Sequence, residues 1–234
     1  MREHGIIDVH AHILPGVDDG SRSMGESLRL LKHAAEQGIC GVVATPHYSR
    51  HKDPARYREK LEELQEHVAK SIPDFTIWLG QETYYHDELL ASLRSGQALT
   101  YEGSRHVLVE FSPDVAYSRM FQGLRNLSAS GYIPVVAHVE RYACLRQKGM
   151  EELKAIGCML QMNYDSLKGL PIHSEVRWCR TQIRKKRIDL LGTDMHRMSY
   201  RPPEIREALK WLEKSIDPDY LEQLTWKNPR KLID

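Results

Sequence analysis

Six stretches of this chain end in side chains that bind divalent cations. The first reads Asp8-Val9-His10-Ala11-His12 and runs on to Asp18-Asp19-Gly20. The others are Thr45-Pro46-His47, Gly80-Gln81-Glu82, Glu110-Phe111, Ala137-His138 and Asp194-Met195-His196. Side chains two apart on an extended strand point the same way, so His10 and His12 share a face about 7 Å apart along the chain. Such a pair can grip one ion, or it can be two interior histidines satisfied by hydrogen bonds. Six such endings brought together favour the ion, because burying that many ionisable groups without cations is costly. Imidazoles and carboxylates without thiolates suit Mn, Zn or Fe(II) better than a closed structural zinc site. Five histidines, two glutamates and one or two aspartates exceed the needs of one metal, so two or three ions are implied. Asp18-Asp19-Gly20 is by itself a turn signature; beside His12 it makes Asp19 a candidate ligand. Two arginines follow these endings, Arg141 three residues past His138 and Arg201 five past His196. Either is an exposed loop residue or a bidentate phosphate clamp. Glu140 could orient a ligand or Arg141.

The elements that must carry these residues alternate strictly. Short apolar runs at Ile6–His12, Gly41–Thr45, Thr76–Glu82, His106–Phe111, Ile133–His138, Cys158–Asn163 and Ile188–Asp194 read as buried parallel strands. Only the sixth ends in a residue that is not a typical divalent ligand, Asn163. Helices fill the gaps. Ser23-Met24-Gly25-Glu26 is a capping box and Gly38 a stop. Further helices are expected over Asp53–Ile72, Asp87–Ser95, Tyr117–Ser130, Met150–Ile156, His173–Lys186 and Pro203–Lys214, with a short one around Tyr220–Leu224. The pattern predicts an α/β fold, a seven-stranded parallel barrel forming one domain over residues 1–234, with all strand ends meeting at one mouth. A doubly wound open sheet competes, but no G-x-G-x-x-G or G-x-x-x-x-G-K-[ST] follows a strand.

Bulk properties narrow the function classes. The 234 residues carry 33 Lys+Arg against 32 Asp+Glu, a formal charge of +1, which argues against a broad nucleic-acid-binding surface. The apolar stretches fall far short of the roughly 20 residues needed to span a bilayer, and Met1-Arg2-Glu3-His4 has no signal core. Cys40, Cys144, Cys158 and Cys179 form no C-x-x-C pair, and none is followed six positions later by arginine, so the C-x5-R thiolate phosphate loop is absent. A cytoplasmic protein is expected. The basic residues Arg50, Lys52, Arg56 and Arg58 read as a solvated face.

Taken in order, D-x-H-x-H, T-P-H, G-Q-E, E-F, A-H-V-E-R and D-M-H resemble the polymerase and histidinol phosphatase (PHP) superfamily, and within it the bacterial capsule-type protein-tyrosine phosphatases. The likeness covers nearly the whole chain, including Ile13 to Gly20, Arg201-Pro202-Pro203 and Asn228-Pro229-Arg230. It implies a distorted seven-stranded barrel with a trinuclear site, usually assigned as manganese, Fe and Zn being alternatives. The implied ligands are His10, His12, Asp19, His47, Glu82, Glu110, His138, Asp194 and His196, with Arg141 and Arg201 on the phosphate. The implied substrate is a phosphotyrosine protein, such as a bacterial tyrosine kinase that controls exopolysaccharide synthesis; no oligomeric state follows. Departures are small: Val139 where relatives also carry proline, and Thr193 where serine is common.

On that reading, two ions share a water, lower its pKa and aim it at phosphorus in line with the leaving oxygen, and the third ion with Arg141 and Arg201 neutralises the non-bridging oxygens. His47 or Asp194 could serve as acid. The rivals are a small-molecule phosphatase of the histidinol-phosphate type and a catalytically silent metal-binding module. An amidohydrolase would often need a bridging lysine, and no strand here ends in one.

Overall fold

A computed structural model of the chain describes residues 4–146 and 149–234. The strands are β1 (Ile6–Ala11), β2 (Ile39–Ala44), β3 (Thr76–Leu79), β4 (Glu82–Tyr84), β5 (His106–Glu110), β6 (Ile133–Val136), β7 (Met159–Asn163) and β8 (Leu190–Gly192). Between them run α1 (Met24–Ala35), α2 (Pro54–Ser71), α3 (Leu89–Arg94), α4 (Tyr117–Ala129), α5 (Met150–Ala155) and α6 (Ser174–Arg184), and after β8 come α7 (Arg206–Ser215), α8 (Pro218–Glu222) and α9 (Asn228–Ile233). All hydrogen-bonded strand neighbours are parallel.

Local chemistry explains these elements. Ser23 caps α1, its hydroxyl accepting from the Glu26 amide at 3.3 Å, while the Glu26 carboxylate accepts from the Arg22 amide at 3.0 Å, one residue earlier than a standard capping box. The helix buries Leu30, Leu31 and Ala34, and Gly38 turns the chain at φ +92°. Asp53 caps α2, with Pro54 in its first turn.

The strands form two sheets, β1-β2-β3 and β4-β5-β6-β7-β8, not the one seven-stranded ladder that the sequence pattern predicts. The difference lies in the third run, Thr76–Glu82, which breaks at Gly80-Gln81. Its first half pairs with β2 and its second with β5. Proline at position 46 has no N–H for the ladder, and its carbonyl accepts from the Glu82 amide at 3.1 Å instead. Isolated bridges join the sheet edges on both sides, His47 to Glu82 and Ala11 to Met195.

Most of the core lies between strands and helices. A smaller inner cluster gathers Val9, Val43, Leu108, Val135 and Leu190 with Tyr101 and Leu232. On β1, Val9 belongs to the inner cluster and Ala11 to the outer one, and the pairing with β2 slips between Asp8 and Ala11. Simple alternation fails there, which is where His10 sits, as bulges beside sites re-aim side chains. The last helix also departs from the sequence expectation. After α8 a wide π-type turn carries the chain on through Gln223–Lys227 into α9, whose Asn228 side chain donates to the Asp189 carbonyl at 2.9 Å.

Candidate metal centre

The strand ends converge. His10 and His12 are fully buried, and their Nε2 atoms lie 3.3 Å apart. Glu82 Oε2 lies 3.3 Å from the first, 3.2 Å from the second and 3.2 Å from His47 Nδ1. Glu82 Oε1 faces His138 Nε2 at 2.9 Å, and Glu110 Oε1 lies 3.4 Å from the same nitrogen. On the other side, Asp19 Oδ1 lies 3.4 Å from His47 Nε2 and 3.6 Å from His196 Nε2. Among the described residues, three groups offer donor atoms within 4.8 Å of one another: His12, Asp19, His47 and His196; His10, His12 and Glu82; and His47, Glu82 and Glu110. Asp194 Oδ1 lies 3.7 Å from His10, 3.5 Å from His12 and 3.5 Å from His196 Nδ1. The nine residues named from sequence are thus brought to one mouth.

The ring nitrogens facing away from the cluster have their own partners. His12 Nδ1 lies 2.8 Å from Asp18 Oδ2, which also accepts from the His47 amide at 3.1 Å. Gln161 Oε1 accepts from the His138 amide at 2.7 Å and lies 3.2 Å from His10 Nδ1. His196 Nδ1 lies 2.8 Å from the Asp194 carbonyl oxygen. Each oxygen can accept a hydrogen bond from Nδ1–H, so that Nε2 is the nitrogen left to face an ion, the arrangement that orients metal-binding imidazoles. Asp18 therefore faces the back of His12, and Asp19 faces the imidazoles of the cluster.

Backbone geometry is unusual at the same place. His138 (φ +31°), Asp194 (φ +53°) and Arg201 (φ +60°) all adopt left-handed conformations that side chains other than glycine rarely take. Such strain gathers at functional sites. Small residues admit the cluster: a Cβ on Gly192 would come within 2.7 Å of the His10 Cβ, and one on Gly20 within 2.1 Å of the His12 carbonyl oxygen.

The electrostatics call for positive charge. Burial alone would raise Glu82, but His10, His12 and His138 hold its carboxyl well below the usual range. Burial also opposes ionisation of Asp194, which His10 and Arg141 nevertheless hold low. His10 and His12 are raised against the pull of burial by Glu82 with Asp194 and by Asp18 with Glu82. Burial lowers His47 and His138 and brings His196 down to about 4, so these three keep their lone pairs. Burial and the neighbouring Glu82 push Glu110 up to about 7. A pocket that stabilises cationic charge, lined by neutral nitrogens and ionised oxygens, fits divalent ions. The thiols do not compete: burial raises all four cysteines, Cys158 and Cys179 to about 12.

Arg141 and Arg201 both reach this mouth. Each donates to Asp194 Oδ2, Arg201 Nη1 at 2.7 Å, and Asn163 Nδ2 donates to the same oxygen at 3.1 Å. They also line a cavity of about 560 Å³ together with Asn163, Thr193 and Arg146. Glu140 does not orient Arg141 by a hydrogen bond: its Oε1 accepts from the Asn163 amide at 3.1 Å and from Ser166 Oγ at 2.7 Å. Asn163, a non-ligand in the sequence reading, thus positions Asp194. Gln161 and Tyr142, whose hydroxyl lies 3.5 Å from His138 Nδ1, escaped sequence reasoning; glutamine inside an apolar strand was the signal for the first.

Comparison with known proteins places the whole chain in a family. The model of the family described as capsular polysaccharide synthesis, CpsB/CapC, matches residues 6–234. The chain belongs to the CpsB/CapC family. Among its relatives, the tyrosine-protein phosphatase CpsB of Streptococcus pneumoniae is 31% identical, with 97% of this chain and 98% of that protein covered. The tyrosine-protein phosphatase YwqE of Bacillus subtilis is 29% identical over 94% of this chain and 89% of that one. Solved structures of YwqE from Bacillus subtilis and CpsB from Streptococcus pneumoniae, described as unique metal-dependent tyrosine phosphatases, include a chain that superposes with a TM-score of 0.87 at 28% identity, covering 97% of this chain and 94% of that one. The phosphotriesterase homology protein of Escherichia coli, 11% identical with a TM-score of 0.63 and full coverage of both chains, shares the fold. Among the described residues of this CpsB/CapC member, no helix is long and apolar enough to cross a membrane.

Proposed function

We propose that this protein is a metal-dependent protein-tyrosine phosphatase that opposes a bacterial tyrosine kinase controlling capsular or exopolysaccharide synthesis. The observation that carries the reading is Asp194, one oxygen facing the imidazole cluster and the other holding both arginines. A cation site and an anion site share a wall there, which is what a phosphoryl group bound to metal ions requires. Names of relatives over the full chain support the tyrosine substrate. The ligands in this reading are His10, His12, Asp19, His47, Glu82, Glu110, His138, Asp194 and His196, holding two or three ions, manganese first and Fe or Zn as alternatives. The fold is then one domain over residues 1–234, a distorted barrel in which β3 and β4 count as one interrupted strand. Four free cysteines suit a cytoplasmic location.

When bound, the ions supply an acidified water and offset charge on the phosphoryl oxygens. Arg141 and Arg201 hold the non-bridging oxygens and fix the in-line orientation. Asp194, held low, has no proton to give at neutral pH, and His47, lowered by burial, is neutral there, so the leaving group departs without an acid from either. A phenol, with a pKa of about 10, needs little such help. No thiolate takes part, in keeping with the raised cysteines.

The test is to strip the protein with chelator, restore Mn²⁺ and measure phosphate release from a phosphotyrosine peptide. Turnover restored by metal and lost in His138→Ala is the expected result. No release with Mn²⁺, Fe²⁺ or Zn²⁺ would remove the tyrosine assignment, and preference for histidinol phosphate would move it to a small-molecule phosphatase.

A further inference from the structure

Tyr200 is 54% exposed, yet it is held from several directions. Its amide donates to the Arg197 carbonyl at 3.1 Å and its carbonyl accepts from the Arg197 amide at 2.9 Å, closing a four-residue turn. The Arg197 guanidinium donates to the carbonyls of Asp19 and Gly20, the latter at 3.1 Å, which fastens this turn to the loop that presents Asp19. Arg201 completes the hold. Its guanidinium carbon lies 5.2 Å from the centre of the Tyr200 ring, and its Nη2 donates to the phenolic oxygen at 3.2 Å. The ring meets the His196 ring edge-on, with centroids 6.1 Å apart. Met198, in the same turn, is also exposed.

Fixed in place and still half exposed, the ring presents a rigid apolar face beside the mouth. We infer that Tyr200 is a specificity-determining residue, a wall for the aryl group of an aromatic phosphate ester. The inference rests on the phosphatase reading above and deepens it. Arg201 is the link. Its Nη1 points to Asp194, where the phosphoryl group is to be held, while its Nη2 holds the Tyr200 hydroxyl. A single ester oxygen separates phosphorus from an aromatic carbon, so an aryl ring bound through its phosphate lies within a few ångströms of the Arg201 side chain and the ring beside it. Offset or edge-on contact between rings rewards an aryl ester and offers an alkyl ester nothing comparable. The cation behind the Tyr200 ring holds it in place without covering the exposed part.

The experiment compares two non-hydrolysable probes, phenylphosphonate and methylphosphonate, binding by calorimetry to the Mn²⁺-restored full chain and to its Tyr200→Ala and Tyr200→Phe variants. Wild type binds the phenyl probe more tightly. Tyr200→Ala is expected to weaken phenylphosphonate by about 3- to 10-fold and methylphosphonate by less than about 2-fold, with Tyr200→Phe close to wild type for both. The KM for a phosphotyrosine peptide should rise in parallel in Tyr200→Ala while kcat holds. Equal weakening of both probes would mean that Tyr200 only positions Arg201, and no change in either would mean that the ring meets no ligand; both overturn the inference alone. Wild-type protein that binds neither probe would overturn the phosphatase reading and this inference with it.

Discussion

The two sides of the mouth are built from different chemistry. Around β1, β2 and the loop bearing Asp19, the side chains are imidazoles and carboxylates, packed until nitrogen lies within 3.3 Å of nitrogen at His10 and His12. Around the ends of β6, β7 and β8 the guanidinium donors Arg141, Arg201 and Arg146 and the amide Asn163 open on a cavity that Glu140, Asp165 and Glu175 also line. The first side is a lattice of carboxylates and imidazoles that favours positive charge, so it suits cations. The second gathers three guanidinium groups, which suits an anion. Asp194 belongs to both, and the comparison teaches that a site for a charged ester can be made by placing an acceptor-rich wall against a donor-rich one, with one carboxylate as the seam.

Substitutions on each side should break different things. Glu82→Gln removes the carboxylate that touches His10, His12, His47 and His138. The expected result is loss of bound metal by elemental analysis and a fall in turnover of about 10³-fold, from several kcal/mol of lost charge stabilisation. Retained metal and activity would erase the distinction between the walls. Arg201→Ala should instead leave the metal content unchanged while kcat/KM falls about 10²-fold, and Arg201→Lys should recover only part, since an ammonium cannot reproduce the fork that meets Asp194 and Tyr200. Gln161→Leu removes the oxygen that orients His10 and the His138 backbone, so metal affinity should weaken roughly 10- to 100-fold without loss of fold by circular dichroism.

The smallest effect is on pH. Glu110 in the ion-free protein titrates near 7, so below that pH it carries a proton that an incoming ion must displace. Metal affinity measured by calorimetry should fall more steeply below about pH 7, where the proton of Glu110 adds up to about tenfold per unit to the loss already set by the raised His10 and His12. Glu110→Gln should lose this proton's share of the slope, and an unchanged slope would take Glu110 out of the site.

What could be read from the chain before its structure was what local order encodes. Each candidate ligand closes an apolar run, and a parallel α/β pattern sends all such ends to one face, so His47 and Glu110 could be placed beside His10 without coordinates. The partner switch between β3 and β4 could not, because Gly80-Gln81 prolongs the apolar run and only the competition of β2 and β5 for that segment splits it. Nor could the work of Gln161, whose partner His10 is remote in sequence, or the left-handed backbones of His138 and Asp194, which propensity disfavours and the surrounding contacts impose. Tyr200 escaped for a third reason: an aromatic in a polar turn carries no periodic signal.

Leu232 of α9 shares the inner cluster with Val9 of β1, and Asp194 donates its amide to the carbonyl of His10. The early and late parts of the chain therefore finish the same interior. In the order of synthesis, the first histidines emerge long before the strand and helix that enclose them, at a pace of about 5–20 residues per second. A nascent or truncated chain lacking that late segment carries most of the donor atoms but no enclosed basin. The site is complete only once that late segment has packed against the first strand.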